Sequence, residues 1–166
     1  MKNLILIGMP ACGKSTIGVV LAKTMGMKFL DTDLLIQERE GVLLQDLINK
    51  RGNDYFKKVE EYVLRSVETE NTVISTGGSA VYYPEAIRHF KKNGLVVYIK
   101  VSYETIEKRL DNITTRGVTL DPGQTLKDLY DKRIPLYEEN ADIIVDTEGM
   151  TVEQTIERIM AQGNNL

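Results

Sequence analysis

Residues 8–15 read Gly8, Met9, Pro10, Ala11, Cys12, Gly13, Lys14, Ser15, which fits the pattern G-x-x-x-x-G-K-[ST]. An apolar run from Asn3 to Ile7 leads into it, and Ile17, Val20, Leu21 and Met25 follow at helical spacing until Gly26 stops them. A short apolar run of this kind is a strand buried on both faces, which belongs to a parallel sheet flanked by helices. The turn between strand and helix is a phosphate cradle. Its glycines let the backbone come close to an anion, and the N–H groups at the helix start point at it. Lys14 is placed to reach the β and γ phosphates of a nucleotide, and the Ser15 hydroxyl to help bind Mg²⁺. Cys12 reads as a small filler inside the loop.

The rest of the chain repeats the same alternation. Strands are expected at 28–30, 72–75, 95–101 and 142–146, with helical patterning at 33–40, 43–50, 54–69, 84–92, 103–111, 125–139 and 151–161. Gly41, Gly52 and Gly94 mark breaks. The fold class expected is therefore α/β: three layers, α/β/α, around a central five-stranded parallel sheet. In such a sheet ligands bind beyond the C-terminal ends of the strands. The loops there are 8–15, 31–33, 76–80 and the segment after 101. Residues 112–124 have no clear period and read as a loop.

Composition excludes several other classes. The chain has 166 residues, which suits one domain over 1–166, and ordinary proportions of hydrophobic (42%) and charged (27%) residues, so disorder is not expected. With 21 Lys+Arg against 24 Asp+Glu, the surface is not one built for nucleic acid or an anionic membrane. A single Cys and a single His, His89, rule out an internal disulfide and a multi-histidine metal site. The apolar start ends at Gly8, too short for a signal peptide, and no run is long enough to span a bilayer, so a cytoplasmic protein is expected. His89 reads as a surface residue, and Tyr82, Tyr83, Tyr130 and Tyr137 as packing and surface aromatics.

A phosphate loop leaves the acceptor of the phosphoryl group open. At this length there is little room for the modules of motors or transporters, whereas a small kinase fits. Asp31, Thr32 and Asp33 end the second strand on the same sheet edge as the phosphate loop. One carboxylate there can orient a metal-bound water and the other can accept a hydroxyl proton, although either can simply cap the next helix. Arg116, in the 112–124 loop, has the place of a charge-stabilising arginine on a mobile lid.

Taken with these motifs, the chain resembles the shikimate kinase family over nearly its whole length. The loop at 8–16 is similar to that family's, and Asp31-Thr32-Asp33 resembles its D-[ST]-D motif. Phe56, Lys57 and Glu60 sit where the family has F-R-x-x-E, and Gly77 to Val81 where it has G-G-G-x-V. Arg133, Pro135, Leu136 and Tyr137 resemble R-x-P-L-Y. The resemblance implies nucleotide contacts from Gly8, Ala11, Cys12, Gly13, Lys14, Ser15, Thr16, Arg109 and Arg116. It implies acceptor contacts from Asp33, Lys57, Gly77, Gly78, Ser79 and Arg133, and metal contacts from Ser15 and Asp31. Lys14, Asp33 and Arg116 are then the catalytic residues, with Asp33 as base and Arg133 on the substrate carboxylate.

Four positions depart from the family pattern: Lys57 for arginine, Ser79 for the third glycine, Gly117 for a lid proline and Ala11 for a loop glycine. Three of the four bear on the acceptor side or the lid. The implied activity is phosphorylation of shikimate to 3-phosphoshikimate by a monomeric, ATP- and Mg²⁺-dependent enzyme. Two alternatives stay open: the same chemistry on another small hydroxylated acid, and a nucleotide-binding protein without turnover. Neither a nucleic-acid nor a membrane partner is expected.

Overall fold

A computed structural model describes residues 2–111, 118 and 120–164. Five parallel strands, β1 (Asn3–Ile7), β2 (Lys28–Asp31), β3 (Thr72–Ser75), β4 (Gly94–Lys100) and β5 (Ile143–Asp146), lie in the order β2-β3-β1-β4-β5. Helices α1 (Lys14–Met25), α2 (Thr32–Glu40), α3 (Leu44–Ser66), α4 (Pro84–Lys91), α5 (Tyr103–Asp111), α6 (Leu126–Asn140) and α7 (Val152–Gly163) connect and follow them. The expected α/β alternation and five-stranded parallel sheet are both present.

Every residue of β1 is buried, and Ile5, Leu6 and Ile7 are fully enclosed beside Val73, Ile74, Val96, Val97 and Ile99. β1 pairs with β3 through Ile5 and Ile74, and with β4 through Ile5 and Val96, so the phosphate loop leaves from the middle of the sheet. Helices α1 and α7 pack on each other and cover one face, while α3, α4 and α6 gather with the short 3₁₀ turn Ala80–Tyr82 on the other. β2 and β3 lie on one side of β1 and β4 and β5 on the other, and that switch point puts a crevice above the C-terminal ends of β1 and β3.

Local chemistry explains the helix ends. Asp31 caps α2, its carboxylate accepting the backbone N–H groups of Asp33 and Leu34. Thr125 with Asp128, and Thr151 with Gln154, form reciprocal capping boxes on α6 and α7. The break expected at Gly52 is a kink inside α3, where φ is 82° and ψ is 170°. Ile36, Leu47, Phe56, Val59 and Val63 form a second apolar cluster that ties α2 to α3 apart from the main core. His89 is half-buried rather than a surface group, with a ring nitrogen 2.7 Å from the carbonyl oxygen of Val67. Among the described residues, no helix is long and apolar enough to cross a membrane.

Candidate active site

A cleft of about 760 Å³ opens above the sheet. Its floor is the phosphate loop. Gly13 takes φ 97° at the N-cap of α1, a left-handed conformation that glycine adopts without cost. Ala11 is also left-handed, at φ 64°, and its carbonyl accepts Arg109 Nη1 from α5 at 3.0 Å. Lys14 is 7% exposed, with Nζ donating to the carbonyls of Gly8 at 2.8 Å and Met9 at 2.9 Å. The ammonium is thus held over the loop by the loop's own oxygens. Cys12 Sγ lies 3.6 Å from it and is buried.

Beside the loop, the Ser15 hydroxyl donates to Asp31 Oδ2 at 3.0 Å and lies 3.3 Å from the Ser75 hydroxyl. The donor set is oxygen only, a hydroxyl with one carboxylate. Among the described residues, no group of three or more His, Cys, Asp or Glu side chains is gathered to hold a metal. Sparse, hard ligands of this sort suit a cation that keeps most of its waters and takes phosphate oxygens, as Mg²⁺ does, and not one that needs a full protein cage.

Asp33, the second residue of α2, is half-buried in the cleft wall. Desolvation, then the neighbouring charges of Glu60 and Asp31, push its carboxyl up to about 7, with Lys14 pulling the other way. A carboxylate with its proton affinity near neutrality is suited to accept a proton from a hydroxyl. Glu60 is only 2% exposed. Burial raises its carboxyl above the ordinary range, while the hydroxyl of Ser79 and the charge of Arg133 oppose that.

The far wall comes from α6 and the turn after β3. Arg133 and Tyr137 stand one helical turn apart and both face inward. Arg133 lines the cleft, and the Tyr137 hydroxyl donates to the Gly78 carbonyl at 2.6 Å, pinning the turn. A Cβ at Gly78 would stand 2.7 Å from Arg133 Nη1 and 2.8 Å from Pro10 Cδ. A Cβ at Gly77 would stand 2.9 Å from Asp33 Oδ1. The two glycines therefore let the acidic and basic walls approach the phosphate loop.

The structure brings most of the expected site residues together. Ala11, Gly13, Lys14, Ser15, Thr16, Asp31, Asp33, Gly77, Gly78, Ser79, Arg109 and Arg133 all line the one cleft. Gly8 and Cys12 lie beneath the loop, buried. Lys57 is exposed and does not line the cleft, because one helical step carries it away from the inward face that holds Phe56 and Glu60. Arg116 lies outside the described residues, as does most of the first half of the expected lid; Val118, from the same segment, lines the cleft. Ser79 does not crowd the cleft with its side chain but donates its hydroxyl to Glu60.

Several contributors escaped the sequence reading. Tyr137 holds the Gly78 turn, and Ser75 sits beside Ser15. Leu34, Gln37, Leu43 and Leu44 extend the cleft along α2 and the start of α3. Glu60, already marked by its place in F-R-x-x-E, is buried and not an exposed helix acid: Phe56, Val59, Glu60, Val63 and Leu64 form one buried helical stripe.

A family model described as shikimate kinase matches residues 10–163. A shikimate kinase of Thermodesulfovibrio yellowstonii is 34% identical over 169 residues, covering 100% of this chain and 97% of the relative. The solved shikimate kinase of Aquifex aeolicus superposes with a TM-score of 0.85 at 34% identity, covering 99% of this chain and 98% of that one. The Acinetobacter baumannii shikimate kinase, solved in complex with shikimate, gives a TM-score of 0.87 at 29% identity, over 100% and 96% of the two chains.

Proposed function

The chain belongs to the shikimate kinase family of small-molecule kinases, and from that membership we propose that its cleft transfers the γ-phosphoryl group of ATP to the 3-hydroxyl of shikimate. The observation that carries the reading is the approach of Asp33 to Gly77 and of Arg133 to Gly78, in the same cleft that Lys14 lines. Such a site offers a proton acceptor, an anion anchor and a phosphate cradle to one small acid.

In this reading the backbone from Gly8 to Thr16 wraps the ATP phosphates, and Arg109 braces the loop through Ala11. Lys14 exchanges its loop carbonyls for phosphate oxygens and stabilises the charge that moves onto them. Ser15 and Asp31 would hold Mg²⁺. That ion supplies charge neutralisation at the phosphate oxygens when bound. Asp33 orients the acceptor hydroxyl and takes its proton as the phosphoryl group arrives. Arg133 grips the substrate carboxylate as a planar fork, with Gly77, Gly78 and Ser79 forming the floor beneath the ring. Lys57, exposed and outside the cleft, takes no part in this reading; Arg116 closes over the phosphates as a lid arginine. Residues 1–166 act as one kinase domain, in a monomeric cytoplasmic enzyme that works in aromatic amino-acid synthesis.

Incubation with ATP, Mg²⁺ and shikimate should yield a monophosphate whose ³¹P signal couples to the ring proton at carbon 3. A product phosphorylated at another hydroxyl would refute the assigned orientation of Asp33 and Arg133.

A further inference from the structure

Glu60 in its ionised form and Arg133 carry opposite charges, are 2% and 3% exposed, and act on each other electrostatically. Two buried charges of opposite sign gain by closing into an ion pair, because water is not there to screen them. These two stay apart. Among the described residues no hydrogen bond or ion pair joins them. Each is instead held by a hydroxyl: Glu60 Oε1 accepts from Ser79, and Arg133 Nε donates to Tyr82 at 3.3 Å. Both hydroxyls belong to one short turn, closed by the Tyr82 N–H donating to the Ser79 carbonyl at 3.0 Å.

We infer that the Ser79–Tyr82 turn is a spacer that holds Glu60 off Arg133 and so keeps the guanidinium open to the substrate's carboxylate. This rests on the reading of the substrate as shikimate. Ser79 is then a positioning residue, acting through Glu60. The second Glu60 oxygen faces Gly77, and Arg133 Nη1 faces Gly78, so the two charges flank the turn on successive residues. Lys57 is exposed and makes no ion pair with Glu60 among the described residues, which leaves two hydroxyls at the carboxylate: Tyr83, beside it, and Ser79, which donates to Oε1 on the cleft side. A glycine at this position, as in the family pattern, has no hydroxyl to give. The spacer is a property of this chain's own departure.

The test compares the wild type with Ser79→Ala, Ser79→Thr and the double variant Ser79→Ala/Glu60→Gln, on shikimate and on its uncharged methyl ester. Without the hydroxyl, Glu60 closes on Arg133 and competes with the substrate anion. Ser79→Ala should raise the KM for shikimate about ten-fold, the scale of one hydrogen bond to a charged group, with little change in kcat or in the KM for ATP. Its KM for the methyl ester should rise by a clearly smaller factor than its KM for shikimate. Ser79→Thr, which keeps the hydroxyl, should restore shikimate binding, and Glu60→Gln in the alanine background should recover most of the loss. An unchanged KM for shikimate in Ser79→Ala, an equal loss with the ester, or no recovery in the double variant would each overturn the spacer while leaving the kinase assignment intact. Failure of the wild type to turn over shikimate would overturn the substrate reading, and the spacer with it.

Discussion

The Ser15 hydroxyl donates to the Asp31 carboxylate across 3.0 Å, although β3 separates the strands that lead to the two residues. The gap is filled by Ser75 at the end of β3, whose hydroxyl lies 3.3 Å from that of Ser15. The ends of β2 and β3 and the start of α1 thus meet in a patch of oxygen atoms beside the phosphate loop. Asp31 serves two purposes there, since its other oxygen caps α2.

That double duty allows the charge to be tested separately from the fold. Asn is as good an N-cap as Asp, so Asp31→Asn keeps α2 capped while removing the anion. We expect it to raise the Mg²⁺ concentration needed for half-maximal turnover by roughly 10–100-fold, with the unfolding temperature little changed. Ser15→Ala should act in the same direction. A magnesium titration at fixed free ATP checks both, and an unaltered requirement in Asp31→Asn would remove this residue from the metal site.

Asp33 makes a prediction about stability in the metal-free protein. Its carboxyl is raised from 3.8 to about 7 in the fold. The folded state therefore binds the proton more tightly than the unfolded one, and folding takes up a proton between those values. The contribution is fully present below about pH 4 and is lost as pH rises through 7. Asp33→Asn removes the ionisable group, so the variant should gain thermal stability over the wild type at pH 8 and not at pH 4, while turnover falls by about 10²–10⁴-fold. Thermal unfolding at the two pH values, with chelator present, measures the difference; an equal offset at both would contradict the assigned shift.

Gly78 lies between Arg133 and the phosphate-loop residue Pro10. Gly78→Ala must displace Arg133, Pro10 or both, given the 2.7 and 2.8 Å approaches. Overpacking of this kind costs about 1–3 kcal/mol. The loss should appear mainly in the KM for shikimate, with nucleotide affinity retained. Calorimetric titration with each ligand separates the two, and undiminished shikimate affinity would show that the turn yields without moving the arginine.

Ala11 holds a left-handed φ of 64° inside the phosphate loop. An L-residue there is strained by roughly 1–2 kcal/mol, of which a glycine relieves most while adding freedom to the unfolded chain. Ala11→Gly should therefore stabilise the protein by about 0.5 kcal/mol and raise the unfolding midpoint slightly, with the KM for ATP unchanged. A lowered midpoint would mean that the methyl group packs better than its backbone suggests.

The phosphate loop and the order of elements were legible because both are local. A glycine-bounded turn between an apolar run and a helical stripe states its own backbone demands, and strand–helix alternation follows from hydrophobic period alone. The break at Gly52 was legible for the same reason: two helical segments of α3 meet there at a non-helical residue, φ 82° and ψ 170°. The strand order β2-β3-β1-β4-β5 was not, since pairing joins residues such as Leu4 and Val73 that are far apart in sequence. Resemblance placed Asp33 and Arg133 in one site, but the separation of Glu60 from Arg133 depends on Ser79 and Tyr82 in a turn whose side-chain directions no periodicity encodes. Asp31 caps α2 with Oδ1 and accepts the Ser15 hydroxyl with Oδ2, so the capping role leaves an oxygen for the proposed metal role. His89 looked like a surface residue because Val67, its partner, lies on a different element.

The central claim is that this cleft is shaped for shikimate. Its most direct test is kcat/KM for shikimate against a panel of small hydroxylated acids, gluconate among them, in a coupled ADP-release assay at saturating ATP and Mg²⁺. The account predicts turnover of shikimate with a kcat/KM at least about 10³-fold above any other acid, the margin expected when a buried guanidinium and a buried carboxylate must both be matched. No turnover of shikimate above background, or a higher kcat/KM for another acid, would contradict it.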